Sequence, residues 1–149
     1  RGGCHSVISW DANSGKSPQQ LLSRLEVMPQ IAEQELAFAA KDISNAGILG
    51  TMAIMLENSG VGGRIDLNAI PKPATLDIGD WVLCFQSYGF VLATAPDKTA
   101  QVLALFAGQN ISAGVVGTVT AEPQADQVPV TSSPSTTPEQ RPASATRQL

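Results

Sequence analysis

The stretch from residue 38 to residue 60 constrains the fold of this chain more than any other. Residues 38–43 form a short, mainly apolar run, which is typical of a buried strand. Over residues 45–58 the apolar side chains recur with the period of an α-helix, at Leu49, Met52, Ala53 and Leu56. Gly60 is well placed as the left-handed residue that ends this helix. The sequence therefore predicts a strand that leads almost directly into a helix.

The junction between this strand and this helix carries Asp42 and Ser44. Ser44 is a suitable helix cap, and the free N–H groups behind such a cap attract an anion. Asp42 offers the hard oxygen that magnesium prefers. The residues alone leave two interpretations open, because caps of this kind also occur in ordinary strand–helix junctions. Lys41 likewise is either a point charge for phosphate or a surface lysine at a strand edge.

The rest of the chain adds more helices and strands. Ser17 and Gln20 form a predicted capping box with Pro18 at the first helical position, and the helix presents one apolar face: Leu21, Leu22, Leu25 and Met28. A second short helix is expected to start at Pro29. Gly62 and Gly63 are expected to form a turn before a strand over residues 64–67.

The second half of the chain contains one segment whose structure is ambiguous and three further predicted elements. Residues 81–85 are strand-like, with a short helix as the alternative. A strand is predicted over 89–95, a helix from 96 to about 107, and a strand over 113–120. This order of elements predicts an α+β fold, with a mixed or antiparallel sheet packed with helices.

Composition divides the chain and excludes some partners. Residues 1–12 are expected to be irregular, with Trp10 packing on the domain or on a neighbour; residues 13–121 form the predicted domain. The Pro/Ser/Thr-rich residues 122–149 have the composition of a disordered tail. The formal charge is −4, so nucleic acid is not an expected partner. No apolar run approaches the roughly 20 residues of a membrane span, and two distant cysteines suit a cytoplasmic protein.

Three segments in order resemble the C-terminal domain of the aminoimidazole-ribonucleotide (AIR) synthase superfamily, over about residues 17–121. The first is Lys41-Asp42-Ile43-Ser44-Asn45-Ala46-Gly47, which is similar to the Asp-x-Ser-Asp-Gly motif of thiamine-monophosphate kinase. The second is Ser59-Gly60-Val61-Gly62-Gly63 with Ile65-Asp66-Leu67 and Ile70-Pro71. The third runs from Ser87-Tyr88-Gly89-Phe90 past Pro96 to Ala113-Gly114-Val115-Val116-Gly117-Thr118-Val119.

The resemblance implies an ATP-dependent enzyme in which this domain closes over an N-terminal ATP-binding domain, absent here, and a small-molecule substrate. By resemblance, Asp42 binds magnesium and Ser44 contacts ATP, with Lys41, Asn45 and Gly47 in the same nucleotide-binding set. Dimers in this superfamily form largely through the first domain, so a homodimer of a full-length protein is compatible with the resemblance.

Two departures from the kinase pattern keep a second hypothesis open. Asn45 replaces a metal-binding aspartate and carries no charge, which weakens magnesium binding. Ser87 or Tyr88 stands where the kinase has an acidic substrate residue. These changes argue against a thiamine-monophosphate kinase and favour the synthase-related branch of the superfamily. The alternative is a non-catalytic binding or regulatory protein that retains the fold.

Overall fold

The computed structural model describes residues 3–6, 9–85 and 89–121 of the chain. Its helices are α1 (Pro18–Leu25), α2 (Val27–Glu33), α3 (Gly47–Asn58), α4 (Ile78–Leu83) and α5 (Thr99–Gly108), with a 3₁₀ turn at Leu67–Ala69. Its strands are β1 (Gly3–Ser6), β2 (Ser9–Asp11), β3 (Ala39–Asp42), β4 (Gly62–Ile65), β5 (Phe90–Ala93) and β6 (Gly117–Thr120). The predicted disordered tail at 122–149 lies outside the described residues.

The strands pair into three antiparallel ladders within this described part: β1 with β2, β3 with β5, and β4 with β6. In the central ladder Asp42 pairs with Phe90 at one end, and Ala39 pairs with Ala93 at the other. Helices and antiparallel strands together make the α+β class that the sequence predicts. The first dozen residues were expected to be irregular, and this is wrong for β1 and β2, which pair with each other.

Two apolar clusters lie on either side of the β3–β5 ladder. Val91 belongs to one cluster and the next residue, Leu92, packs against the other, because successive side chains of a strand point to opposite faces. The first cluster joins α3 and α4 and contains Ile43, Ile48, Met52, Ile70, Trp81, Val82, Cys84 and Val91. The second joins α2 and α5 and contains Val27, Ile31, Leu36, Val102 and Phe106. The ladder is thus held between two layers of helices.

Several helix boundaries lie where the local sequence signals predict them. The Ser17 hydroxyl accepts a hydrogen bond from the Gln20 amide, and the Gln20 side chain accepts one from the Ser17 amide. At the end of α3, Gly60 has a φ of +64°, and the amides of Gly60 and Val61 bond back to Glu57 and Leu56. This is a Schellman ending, which closes the last carbonyl groups of the helix. For residues 81–85 the prediction left a strand or a short helix open, and the helix is found for most of them, since α4 covers Ile78–Leu83.

Other boundaries differ from the prediction for physical reasons. The second helix begins at Val27 and not at Pro29. Pro29 is tolerated in its first turn because the amides there have no partner within the helix. Gly62 and Gly63 do not form a turn but open strand β4. A side chain at Gly63 would come within 2.8 Å of Leu56, so the strand passes close to α3.

Two leucines of α1 are exposed, whereas the packing of Trp10 agrees with the prediction. Leu22 is 66% exposed and Leu25 is 59% exposed, so these two residues of the predicted apolar face stay largely in solvent. No residue of α1 is buried. By contrast, Trp10 packs on the domain as predicted: its ring meets that of Trp81 edge to face, with centroids 5.1 Å apart. The Trp81 indole N–H also donates to the Pro71 carbonyl at 2.9 Å.

Candidate functional site

The candidate site is the loop between β3 and α3, with the residues on either side of it. Strand β3 ends at Asp42, and α3 begins at Gly47. The predicted helix start at Asn45 and the predicted cap at Ser44 are wrong. The residue at the cap position is Ala46, which has a φ of +79° and makes no side-chain capping bond. The chain therefore uses a longer loop here than the sequence predicts.

Hydrogen bonds of ordinary length hold this loop in shape. The Ser44 carbonyl accepts a bond from the Gly47 amide at 2.9 Å. The Asn45 side-chain oxygen accepts one from the Ala46 amide at 2.8 Å. The Ser44 amide donates to the Thr51 hydroxyl oxygen at 3.2 Å. The Ser44 amide is thus tied to the second turn of the helix, while its side chain does not cap the helix.

Gly47 is a packing residue in this arrangement. It is buried and has a φ of +66°, a conformation that favours glycine. A Cβ atom at this position would lie 2.1 Å from the Val82 carbonyl oxygen and 2.8 Å from the Leu83 backbone. The start of α3 can approach α4 this closely only because Gly47 has no side chain.

The first turn of α3 has free amide groups. Within the described ranges, the amides of Ile48 and Leu49 have no hydrogen-bond partner. The first amides of any helix lack partners inside the helix, and they carry a partial positive charge. This turn has the electrostatic character that favours an anion, although helix starts in general share it.

Asp42 and Lys41 lie together at the end of β3. The Lys41 Nζ atom is 3.9 Å from an Asp42 carboxylate oxygen, and the two side chains are 32% and 54% exposed. A pair this long and this exposed contributes only about 0–1 kcal/mol. The carboxylate is therefore available to a stronger partner, because little stability is lost when it leaves the lysine.

Asp42 can hold magnesium only together with other ligands that complete the coordination shell of the metal. No group of three acidic, histidine or cysteine side chains suited to a metal ion occurs among the residues that the structure describes. Magnesium bound to a nucleotide commonly takes one or two protein carboxylates, phosphate oxygens and water. Asp42 fits this limited role. Asn45 fits it less well, because its side-chain oxygen already accepts the Ala46 amide.

An open groove runs along β3 beside Asp42. Its volume is about 510 Å³. Both apolar and polar side chains face it, from the strand and from α2, α3 and β5: Met28, Ala39, Ala40, Lys41, Asp42, Met55, Asn58, Ser59 and Phe90. Its size is within the range of small-molecule sites.

The structure assembles part of the predicted set. Lys41 and Asp42 meet directly, Ser44 and Asn45 belong to one loop, and Gly47 is packed against α4. Residues 86–88, which include Ser87 and Tyr88, lie outside the described residues. Thr51 was not predicted. The signal that could have found it is a single threonine among the apolar residues of a buried helix face.

The family model described as "AIR synthase related protein, C-terminal domain" matches residues 5–127 of the chain. The chain belongs to the AIR synthase related family, as its C-terminal domain. It is 38% identical over 110 residues to the uncharacterized protein sll0787 of Synechocystis, covering 74% of this chain and 34% of that protein. It is 34% identical over 115 residues to the uncharacterized protein MJ0640 of Methanocaldococcus jannaschii, covering 77% of this chain and 36% of that protein. The chain thus spans about a third of the length of these relatives.

Solved structures with the same fold include PurL of Thermotoga maritima. The PurL structure complexed with ADP superposes with a TM-score of 0.64 at 17% identity, covering 82% of this chain and 20% of that one. The structure complexed with ATP gives a TM-score of 0.62 at 19% identity, covering 68% of this chain and 18% of that one. At this level of identity the likeness shows the shared fold. No helix in the described part of the chain is long and apolar enough to cross a membrane.

Proposed function

We propose that this AIR synthase related domain supplies one side of a magnesium–ATP site in an ATP-dependent enzyme. The other side of the site comes from an N-terminal domain of the same protein, and a small-molecule substrate binds between them. The observation that carries the proposal is the β3–α3 junction: an exposed carboxylate at Asp42, followed by a helix start with two free amides. The PurL structures with ATP and ADP support a nucleotide as the ligand.

Each residue of the junction has a defined role in this proposal. Asp42 supplies one oxygen ligand to magnesium, and the Ser44 hydroxyl contacts a phosphate. Lys41 moves from Asp42 to a phosphate oxygen, which its weak ion pair allows. When bound, magnesium would shield the phosphate charges that oppose phosphoryl transfer. The groove along β3 lies beside Asp42 and accommodates a small-molecule substrate.

A titration of magnesium–ATP into the complete protein tests the proposal. Asp42→Ala is expected to raise the Kd about tenfold or more, because a charged ligand is lost, and Ser44→Ala to raise it by a smaller factor. Asp97→Ala is the matched control. Asp97 is also an exposed carboxylate after a strand of this ladder, but it follows β5 and therefore lies beyond the opposite end.

The proposal is rejected if both site variants bind magnesium–ATP as tightly as the wild type. It also predicts that the 149-residue chain by itself does not turn over ATP, because half of the site is missing. Sustained hydrolysis by this chain alone, free of contaminating ATPase, would show that the shared site is wrong.

A non-catalytic role is the second candidate, and Asn45 favours it. The side chain that replaces a metal-binding aspartate bonds to its own loop, which suits a structural function. The variant Asn45→Asp separates the two candidates. An enzyme site gains magnesium affinity from the added carboxylate, whereas a site that has lost its metal function shows no change in magnesium-dependent nucleotide binding.

A further inference from the structure

Thr51 is the buried polar residue of this domain. Its exposure is 0%, and it is the one polar or charged residue that is buried among the residues described. It lies in the second turn of α3, between Gly50 and the core residue Met52. A buried hydroxyl costs free energy unless a hydrogen bond compensates for its lost hydration. The hydrogen bond that Thr51 makes with the Ser44 amide provides this compensation.

That bond joins the helix to the loop before it. The Thr51 hydroxyl oxygen accepts the Ser44 amide at 3.2 Å, across seven residues of sequence. The other bonds of residues 44–46 are local and span at most four residues, from Ser44 to Gly47, within Asn45 and Ala46, and from Ala46 to Gly50. At the start of the loop, the Ile43 amide donates to the Gly89 carbonyl at 3.0 Å. Local bonds maintain the shape of the turn. The Thr51 bond sets the direction of the turn relative to α3.

The other side of the loop is held by packing. Gly47 lies against the Val82 and Leu83 backbone with no room for a side chain. The loop is therefore held at its start by the Ile43–Gly89 bond, at Ser44 by the Thr51 bond, and at its end by close contact with α4. Ser44 lies in the first half of the loop, so its orientation depends on the bond that Thr51 accepts, whereas Asp42 is held by its pairing with Phe90 in the β3–β5 ladder.

We propose that Thr51 is a positioning residue for the nucleotide site, and this inference rests on the proposed function. Its hydroxyl oxygen holds the Ser44 amide, and this keeps the Ser44 hydroxyl in the orientation that a magnesium-bound phosphate requires, next to the Asp42 carboxylate that the β3–β5 ladder holds. Thr51 itself touches no ligand.

Two variants separate this role from a purely structural one. Thr51→Val keeps the shape of the side chain but removes the acceptor for the Ser44 amide. Thr51→Ser keeps the acceptor but loses a buried methyl group. Both changes are expected to lower the thermal midpoint by similar amounts, because a lost hydrogen bond and a lost methyl group have similar costs.

Binding of magnesium–ATP to the complete protein distinguishes them. Thr51→Val is expected to raise the Kd about three- to tenfold, which corresponds to the loss of one hydrogen bond. Thr51→Ser is expected to bind as the wild type does. Amide hydrogen exchange at residue 44 provides a second readout: it should accelerate in the valine variant and stay protected in the serine variant.

The possible results have distinct meanings. If Asp42→Ala weakens binding but Thr51→Val does not, the positioning role is wrong and the proposed function stands. If both Thr51 variants weaken binding equally, only a general structural role remains, and the inference is overturned. If the wild-type complete protein does not bind magnesium–ATP, the proposed function fails, and the positioning role fails with it.

Discussion

Gly47 provides the sharpest test of how α3 is seated on α4. Its φ of +66° is nearly the same as the φ of +64° at Gly60, which ends the same helix. The surroundings differ. A Cβ atom at Gly60 would meet nothing within 4 Å, whereas one at Gly47 would lie 2.1 Å from the Val82 carbonyl oxygen. Replacing each glycine by alanine therefore separates the cost of the backbone conformation from the cost of the close contact.

The backbone cost is shared by the two variants. Alanine in the left-handed region costs about 1–2 kcal/mol, and the stiffer unfolded chain returns about 0.4–1 kcal/mol. Gly60→Ala is thus expected to lower the free energy of unfolding by about 1 kcal/mol. Gly47→Ala adds to this backbone cost the clash between the new Cβ atom and the Val82 carbonyl oxygen. Real Cβ atoms stay at least 3.0 Å from such an oxygen, so two backbone segments must separate by roughly 1 Å. Overpacking of this kind costs about 1–3 kcal/mol, which brings the total to about 2–4 kcal/mol.

Chemical unfolding of the full 149-residue chain measures both values. Tryptophan fluorescence is a suitable probe, because Trp81 is buried on α4 and contacts Trp10. The expected result is an unfolding midpoint for Gly47→Ala well below that of Gly60→Ala, with similar slopes against denaturant. Equal destabilisation by the two substitutions would refute the close packing of α3 on α4, and a stable Gly47→Ala variant would also contradict the left-handed backbone there.

Four further substitutions test other parts of the fold by the same unfolding measurement. Ser17→Ala removes the acceptor of the capping box and should cost about 1 kcal/mol; no change would mean that α1 does not depend on its cap. Trp81→Phe loses the bond to the Pro71 carbonyl and should cost at least about 1 kcal/mol, and a smaller effect would exclude that bond as a stabilising contact. Ile31→Ala should cost about 2–5 kcal/mol, because Ile31 is buried in the second cluster, whereas the exposed Leu22→Ala should stay within about 0.5 kcal/mol. Comparable losses for these last two would contradict the exposed position of α1.

The ends of the helices show how far local sequence signals extend. The capping box at Ser17 and the Schellman ending at Gly60 depend on residues within six positions of each other, and both were predicted. The start of α3 was not. Ser44 is a good cap by its chemistry, but its amide is bonded to Thr51, and α3 begins only at Gly47, which packs closely against α4. Both contacts involve residues that are remote in sequence or buried in the fold.

The candidate site divides in the same way. Asp42 and Ser44 stand out in the sequence because their chemistry suits magnesium and phosphate, and the resemblance to the AIR synthase superfamily indicated the same segment. Thr51 is a single threonine among apolar residues, but the sequence does not show which group its hydroxyl bonds, so its role was not predicted. The exposed face of α1 was also missed. Its apolar spacing is that of a buried helix, and only the packing of α2 and α5 shows that the core is complete without it.

The sequence by itself determined the α+β class and the local shape of most helices, because these follow from periodicity, caps and turn residues that are close along the chain, and its three ordered motifs indicated the family by resemblance. The tertiary structure alone decided where α3 begins, which amide Thr51 receives and which apolar side chains stay exposed. Those outcomes depend on contacts between segments far apart in sequence, and no local pattern encodes them.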